Sequence, residues 1–176
     1  MKPGRDGGFV IGLAPLQIVY VHAPQDGLER AGYKIVSQIV WSKSHFAISR
    51  GDYHWQHEPC WYAVKEGKLH NWQGSRSEST IWNIERGCED KTGHATEKPV
   101  ECMGRPIQNN TAAGQLVVDP FIGSGTTLIA SHRLGRVCYG VELEPKYVDI
   151  TLQRYFNETG DIPIRESDNA HYPVIR

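Results

Sequence analysis

Nineteen residues separate Gly123 from Glu142, and the residue types around them lay out one kind of chemistry. The run opens Asp119-Pro120-Phe121-Ile122-Gly123-Ser124-Gly125-Thr126-Thr127 and closes on the carboxylate of Glu142. Neither Gly123 nor Gly125 carries a Cβ, so the backbone there can approach a ligand closely. A helix starting at Thr126 offers that ligand amide groups with no partner inside the helix. A carboxylate at this distance can accept both hydroxyls of a ribose, which makes the stretch a mononucleotide-binding unit for an adenosine cofactor.

Four elements must position these groups: a buried strand at Leu116 to Val118, the glycine turn, a short helix ending near Gly135, and a second strand at Val137 to Leu143. Two phosphate-binding readings fit poorly. A dinucleotide fingerprint wants a third glycine where Leu128 stands, and a phosphate loop wants a lysine where Thr126 follows Gly125. A doubly wound domain binding some other nucleotide stays open.

A second group of residues suits nucleic acid. Between positions 30 and 76 stand seven cations (Arg30, Lys34, Lys43, Arg50, Lys65, Lys68, Arg76) against three acids (Asp52, Glu58, Glu66), in a chain whose total charge is −1. The same window holds four of the five tryptophans and four of the eight histidines. Cations interleaved with rings serve phosphate contact and base stacking; they serve equally as a solvated face over an aromatic core. Tyr53, Trp55, His57 and Tyr62 are the candidate rings, with Lys43 and Arg50 beside them. The cysteines, Cys60, Cys88, Cys102 and Cys138, form no Cys-x-x-Cys pair, and a set drawn from His57, Cys60, Cys88 and His94 matches no zinc-finger spacing. No metal is expected, and a reduced, cytoplasmic setting is the simple reading.

At 176 residues the chain can build one domain with its own core, and 39% hydrophobic with 22% charged residues is ordinary composition. No apolar run approaches the roughly 18 residues of a membrane span, and the first eight residues do not form a signal peptide. Phe9 to Leu13 and Gln17 to His22 are strand candidates, followed by a short helix from Gln25 to Ala31 closed by Gly32. Lys34 to Trp41 and Cys60 to Lys65 are further strands, with a polar, aromatic loop from Ser42 to His57 between them. Glu66 to Gly93 lacks periodicity apart from a short strand within Ser75 to Trp82. Thr96 is placed to cap a helix through Val100, Met103 and Ile107, which Pro106 should kink or break. A last helix from Pro145 to Gly160 carries Val148, Leu152, Tyr155 and Phe156 on one face, ahead of an irregular tail.

The order Asp119-Pro120-Phe121-x-Gly123-x-Gly125-Thr126-Thr127 resembles the S-adenosyl-L-methionine loop of DNA amino-methyltransferases, enzymes that methylate adenine N6 or cytosine N4. His94-x-Thr96-x-Lys98-Pro99 is similar to the element just ahead of that loop. Ile39-Val40-Trp41-Ser42-Lys43 and the Tyr53 to Tyr62 string resemble the wall that receives the flipped base. The match runs from about Gln17 to Gly160, in the order of the permuted class whose catalytic half comes first. It implies a three-layer, Rossmann-like α/β methyltransferase fold with a mixed sheet. It also implies S-adenosyl-L-methionine held by Asp119, Phe121, Gly123, Gly125, Thr126 and Glu142, with Thr96 and Lys98 at its methionine end. The partner implied is double-stranded DNA, in a bacterial, prophage or phage restriction-modification setting. On this resemblance residues 1–176 form a single methyltransferase domain: a base-side half at 17–65, a small recognition or linker region at 66–93, a cofactor half at 94–160 and a tail at 161–176.

One departure stands out. The family's Asp/Asn/Ser-Pro-Pro-aromatic motif, which grips the amino nitrogen and stacks on the base, does not occur in the sequence, so no catalytic residue is identified. In the family that motif ends the strand beside the cofactor strand, at the middle of the sheet. About five strands are recognisable here, so the central place must close up, be filled by Phe9 to Leu13, or be supplied by a partner chain. The expectation is a site-specific DNA methyltransferase acting on an exocyclic amino group, adenine N6 ahead of cytosine N4, in a chain that looks truncated at its N-terminus. The alternative is an inactive or split fragment that serves only as a cofactor- and DNA-binding module.

Overall fold

A computed structural model describes residues 10–13, 18–21, 25–48, 50–85 and 97–175. Seven strands make one mixed sheet: β1 (Val10–Leu13), β2 (Ile18–Val21), β3 (Tyr33–Ala47), β4 (Trp55–Lys65), β5 (Ile81–Asn83), β6 (Leu116–Asp119) and β7 (Val137–Gly140). Their spatial order is β5-β3-β4-β2-β1-β6-β7. The inner pairs are antiparallel, and the two outer strands are parallel to their neighbours, β5 on β3 and β7 on β6. The central place beside β6 belongs to β1, with Gly12 opposite Val118 and Leu13 opposite Val117. Of the three ways to complete the sheet, the structure uses the short N-terminal strand, which spares β6 an unpaired inner edge.

The pleat of β4 sorts side chains to two faces. Cys60, Tyr62 and Val64 join Ile39, Trp41, Trp82 and Val117 in the main core, which Cys102, Met103 and Ile107 of α2 (Val100–Asn110) and Ala130 of α3 (Thr126–Arg133) cover. Ala63, with Trp61 beside it, faces the other way and packs with Leu28 of α1 (Gln25–Arg30). Helices on both faces of a mixed sheet give the three-layer α/β arrangement expected.

Four local expectations change. Residues 42–57 are mostly strand, because β3 runs on to Ala47 and β4 already begins at Trp55. Beyond the Ser42–His57 pair the two strands have no other sheet neighbour among the described residues and run on as a two-stranded ribbon. Ring contacts across the pair, such as Phe46 stacked on His54 with 5.1 Å between centroids, stabilise strand where polar composition alone argues for loop. The helix α2 starts at Val100 after Pro99, with no side-chain cap, and Thr96 lies outside the described residues. Pro106 sits inside α2 without ending it. Its fixed φ is helical, and Cys102, Met103 and Ile107, all 1% exposed or less, hold the helix on the core at the cost of one backbone hydrogen bond. The strand β7 stops at Gly140, short of Leu143.

The tail is ordered rather than irregular. The strands β8 (Ile164–Arg165) and β9 (Ala170–His171) pair as a small hairpin beside α4 (Pro145–Thr159). The Gln153 amide donates to the Ile175 carbonyl (2.9 Å) and its oxygen accepts from the Ile175 N–H (2.7 Å), which closes the tail onto α4. Local turn signals do not show a contact of this kind.

Candidate functional site

The turn between β6 and α3 is tied from below and from both sides. Asp119, 2% exposed, accepts the Phe121 N–H at 2.9 Å and the Thr127 hydroxyl at 2.6 Å, so its carboxylate shapes the turn from beneath. Burial pushes its pKa up, against the pull of those two hydrogen bonds. The Glu142 carboxylate accepts the Gly123 N–H at 2.8 Å on one oxygen and the Leu143 and Glu144 N–H groups, at 2.9 and 3.0 Å, on the other. The oxygen facing Gly123 keeps a lone pair, because a carboxylate oxygen can accept twice.

Both glycines have left-handed backbone, φ +54° at Gly123 and +81° at Gly125. A Cβ on Gly125 would lie 2.7 Å from the Thr151 methyl, so helix α4 is packed directly against the turn. Thr151 also donates its hydroxyl to the Gly123 carbonyl (2.8 Å). On the open side Phe121 is 66% exposed and Leu143 is 90% exposed, two apolar surfaces next to the atoms that Glu142 joins. The turn thus brings together Asp119, Phe121, Gly123, Gly125, Thr126 and Glu142. Leu143 escaped the sequence reading, and its only signal was its position after the acid.

The string ahead of α2 faces two ways. Glu97, 4% exposed, pairs with Arg154 of α4 at 2.6 Å. The same guanidinium nitrogen donates to the Thr126 hydroxyl (3.0 Å), which ties this string to the start of α3. Lys98, next in the chain, pairs with a different element: its ammonium lies 2.7 Å from Glu58 of β4, whose other oxygen lies 2.6 Å from Lys43 of β3. Glu97, Arg154, Thr151 and Glu58 gave no sequence signal, because their partners lie far away along the chain.

The base-side candidates divide. At the ribbon tip Tyr53 is 92% and Trp55 61% exposed, with the His57 ring 5.2 Å from Trp55 and Arg50 also exposed. Tyr62 is 6% exposed and its hydroxyl bonds to His70 (3.0 Å) and Asn110 (3.3 Å), so it packs under α2 and lines no open wall. Burial pushes the Cys60 thiol up to about 12 and the Cys138 thiol up to about 11, which leaves neither a thiolate near neutral pH. Among the described residues no group of three or more His, Cys, Asp or Glu could hold a metal ion, and no helix is long and apolar enough to cross a membrane.

The β6–glycine turn–α3–β7 unit, parallel in its two strands and followed by the Glu142 carboxylate, has the layout of a mononucleotide-binding half. A family model described as DNA methylase, N6_N4_Mtase, matches residues 19–153. That is well over half of the chain, which therefore belongs to the N6/N4 DNA methylase family, as the resemblance implied. The chain is similar to the Type II methyltransferase M2.DpnII of Streptococcus pneumoniae, 30% identical over 142 residues that cover 72% of this chain and 53% of that protein. With M.BglII of Bacillus subtilis identity is 35% over 115 residues, 64% of this chain and 30% of that one. The chain thus spans about half the length, or less, of these relatives. Among solved structures, that of M1.HpyAVI in complex with SAM superposes with a TM-score of 0.64 at 30% identity, covering 74% of this chain and 66% of that one.

Proposed function

We propose that this chain binds S-adenosyl-L-methionine on the 119–125 turn and contributes to a DNA methyltransferase. The observation that carries the reading is the Glu142 carboxylate fastened to the Gly123 N–H, beside two glycines whose left-handed backbone a Cβ would strain. These residues fit the group: bare backbone for close approach, an acceptor for ribose hydroxyls, and exposed Phe121 and Leu143 as apolar faces for a purine. When bound, the cofactor supplies an electrophilic methyl on a sulfonium, to be taken by an exocyclic amino nitrogen. Asp119 and Thr126 hold the turn's shape, and Thr96 and Lys98 are assigned to the amino-acid end, where a cation suits a carboxylate. A cofactor complex of one relative supports the assignment.

The second substrate in this proposal is double-stranded DNA, methylated at adenine N6 in preference to cytosine N4. Residues 17–65 form the base side, 66–93 a small linker or recognition segment, and 94–160 the cofactor side. Tyr53, Trp55 and His57 would meet bases, with Arg50 and Lys43 near phosphates, while Tyr62 supports that wall from the core. The bacterial sources of its relatives support a bacterial or phage-borne restriction-modification setting. A second reading rests on the missing Asp-Pro-Pro-aromatic string: these residues bind cofactor and DNA but transfer nothing until another segment or chain supplies the grip on the amino group.

Calorimetry with S-adenosylhomocysteine tests the cofactor site; unchanged binding in Glu142→Ala would remove it. Tritium transfer from labelled S-adenosylmethionine to DNA separates the two readings, since no incorporation into any duplex supports the second. Nucleoside analysis of labelled DNA then tells N6-methyladenine from N4-methylcytosine.

A further inference from the structure

Lys98 carries a flexible four-carbon stem, yet its ammonium is held between the Trp41 ring and the Glu58 carboxylate. The Trp41 ring lies beneath it, with Nζ 5.9 Å from the ring centroid, and Lys43 Nζ stands over the same ring at 5.3 Å. Trp41 is itself pinned, 4% exposed and donating its indole N–H to the Ile84 carbonyl at 2.8 Å. Glu58 stands between the two ammonium groups, 2.6 Å from Lys43 and 2.7 Å from Lys98. On the backbone side, neighbouring Glu97 is anchored through Arg154 to Thr126 at the start of α3. Two adjacent residues therefore sit at a junction, one tied through Arg154 to the start of α3 and one paired with Glu58 of β4.

We propose that Glu58 is a positioning residue for the amino-acid end of the cofactor, acting by fixing the Lys98 ammonium at this junction. The proposal rests on the S-adenosylmethionine reading above. The Lys98 side chain is only 13% exposed, and without Glu58 a half-buried ammonium turns toward water to recover its solvation. Among the described residues Glu58 is the acceptor that Lys98 meets, which takes one of its three N–H donors and leaves two for an incoming carboxylate. Lys43 keeps that carboxylate from being repelled, because two ammonium groups against one carboxylate leave the cluster a net cation. Burial pushes the Glu58 pKa up, but the charges and hydrogen bonds of Lys98 and Lys43 outweigh it and hold the carboxyl below its usual range, so Glu58 is charged near neutrality.

The test compares two ligands that share adenosine and sulfur and differ in the amino-acid end: S-adenosylhomocysteine has it and 5′-methylthioadenosine lacks it. By calorimetry, Glu58→Gln raises the Kd for S-adenosylhomocysteine about tenfold and changes that for methylthioadenosine less than about twofold. Glu58→Asp keeps the charge one methylene short and gives a smaller loss with the same selectivity, which covers the case of a poorly folded Gln variant. Glu101→Gln, which cuts the exposed Glu101–Arg105 pair of α2, moves neither ligand. An equal loss for both ligands in the Glu58 variants reduces Glu58 to a structural residue and overturns the proposal, as does no loss for either. A wild-type protein that binds neither ligand fails earlier, at the cofactor reading itself.

Discussion

The turn at 119–125 and the tip of the β3–β4 ribbon are built in opposite ways. Around the turn, Asp119, Glu142, Thr151 and Arg154 spend their polar atoms on its backbone and on its first helical hydroxyls. At the ribbon tip Ile48 is 87% exposed and Tyr53 92%, and the stacking of Phe46 on His54, 5.1 Å between rings, joins neighbours within the ribbon itself. A ligand of one fixed shape favours a site whose ordering is complete before binding, since no loop then has to be ordered at that moment. A duplex, met at many sequences, favours exposed rings on a projecting arm that share little with the core. The core consequently tolerates change at the tip far better than at the turn.

The strongest challenge to that contrast is Arg154→Met, which takes the guanidinium from the buried Glu97 carboxylate and should cost about 3 kcal/mol in urea unfolding. A loss below about 1 kcal/mol would mean the turn is not held from α4. Gly125→Ala comes next: φ of +81° and the 2.7 Å approach to Thr151 should cost about 2 kcal/mol and weaken S-adenosylhomocysteine binding with it. Glu142→Ala leaves three backbone N–H groups without their acceptor, for about 1–2 kcal/mol of stability and at least about a tenfold rise in cofactor Kd.

Acid titration gives a smaller effect of defined sign. The folded Glu58 pKa lies below its unfolded value, so its stabilisation is complete above roughly pH 4.3 and is lost as pH falls through the folded value. Glu58→Gln should therefore flatten the acid side of the stability profile by about 1 kcal/mol, measured as Tm against pH. The smallest effect on folding belongs to the tip: Tyr53→Ala should stay within about 0.5 kcal/mol of wild type. Fluorescence anisotropy should show the same variant losing about 1–3 kcal/mol of DNA affinity. A tip variant that unfolds the protein would erase the contrast.

Legibility follows the same division. Most of the Leu116 to Glu142 unit could be read locally, because a strand, two left-handed glycines, a short helix and an acid lie consecutively in the chain; only the early end of β7 at Gly140 departs from that reading. The ribbon was less legible: the polar residues of 42–57 argue for loop, and only the facing strand reveals the pairing. Pro106 argued for a break that the packing of Met103 and Ile107 prevents. Tyr62 and its neighbours on β4 carry a mixture of rings and polar groups, and nothing along the chain says which face of the pleat turns inward.

By itself, then, the sequence determined the glycine turn, the spacing of the acid after it, the family and the class of fold, since neighbouring residues set backbone conformation and periodicity. Tertiary structure alone decided that Val10–Leu13 lies beside β6, that Tyr62 is interior, and that adjacent Glu97 and Lys98 pair with Arg154 of α4 and Glu58 of β4. The physical reason is that an ion pair or a sheet neighbour depends on which distant segments are brought within a few ångströms. The strand order that brings them there is a property of the whole packed sheet and is written in no single stretch of the chain.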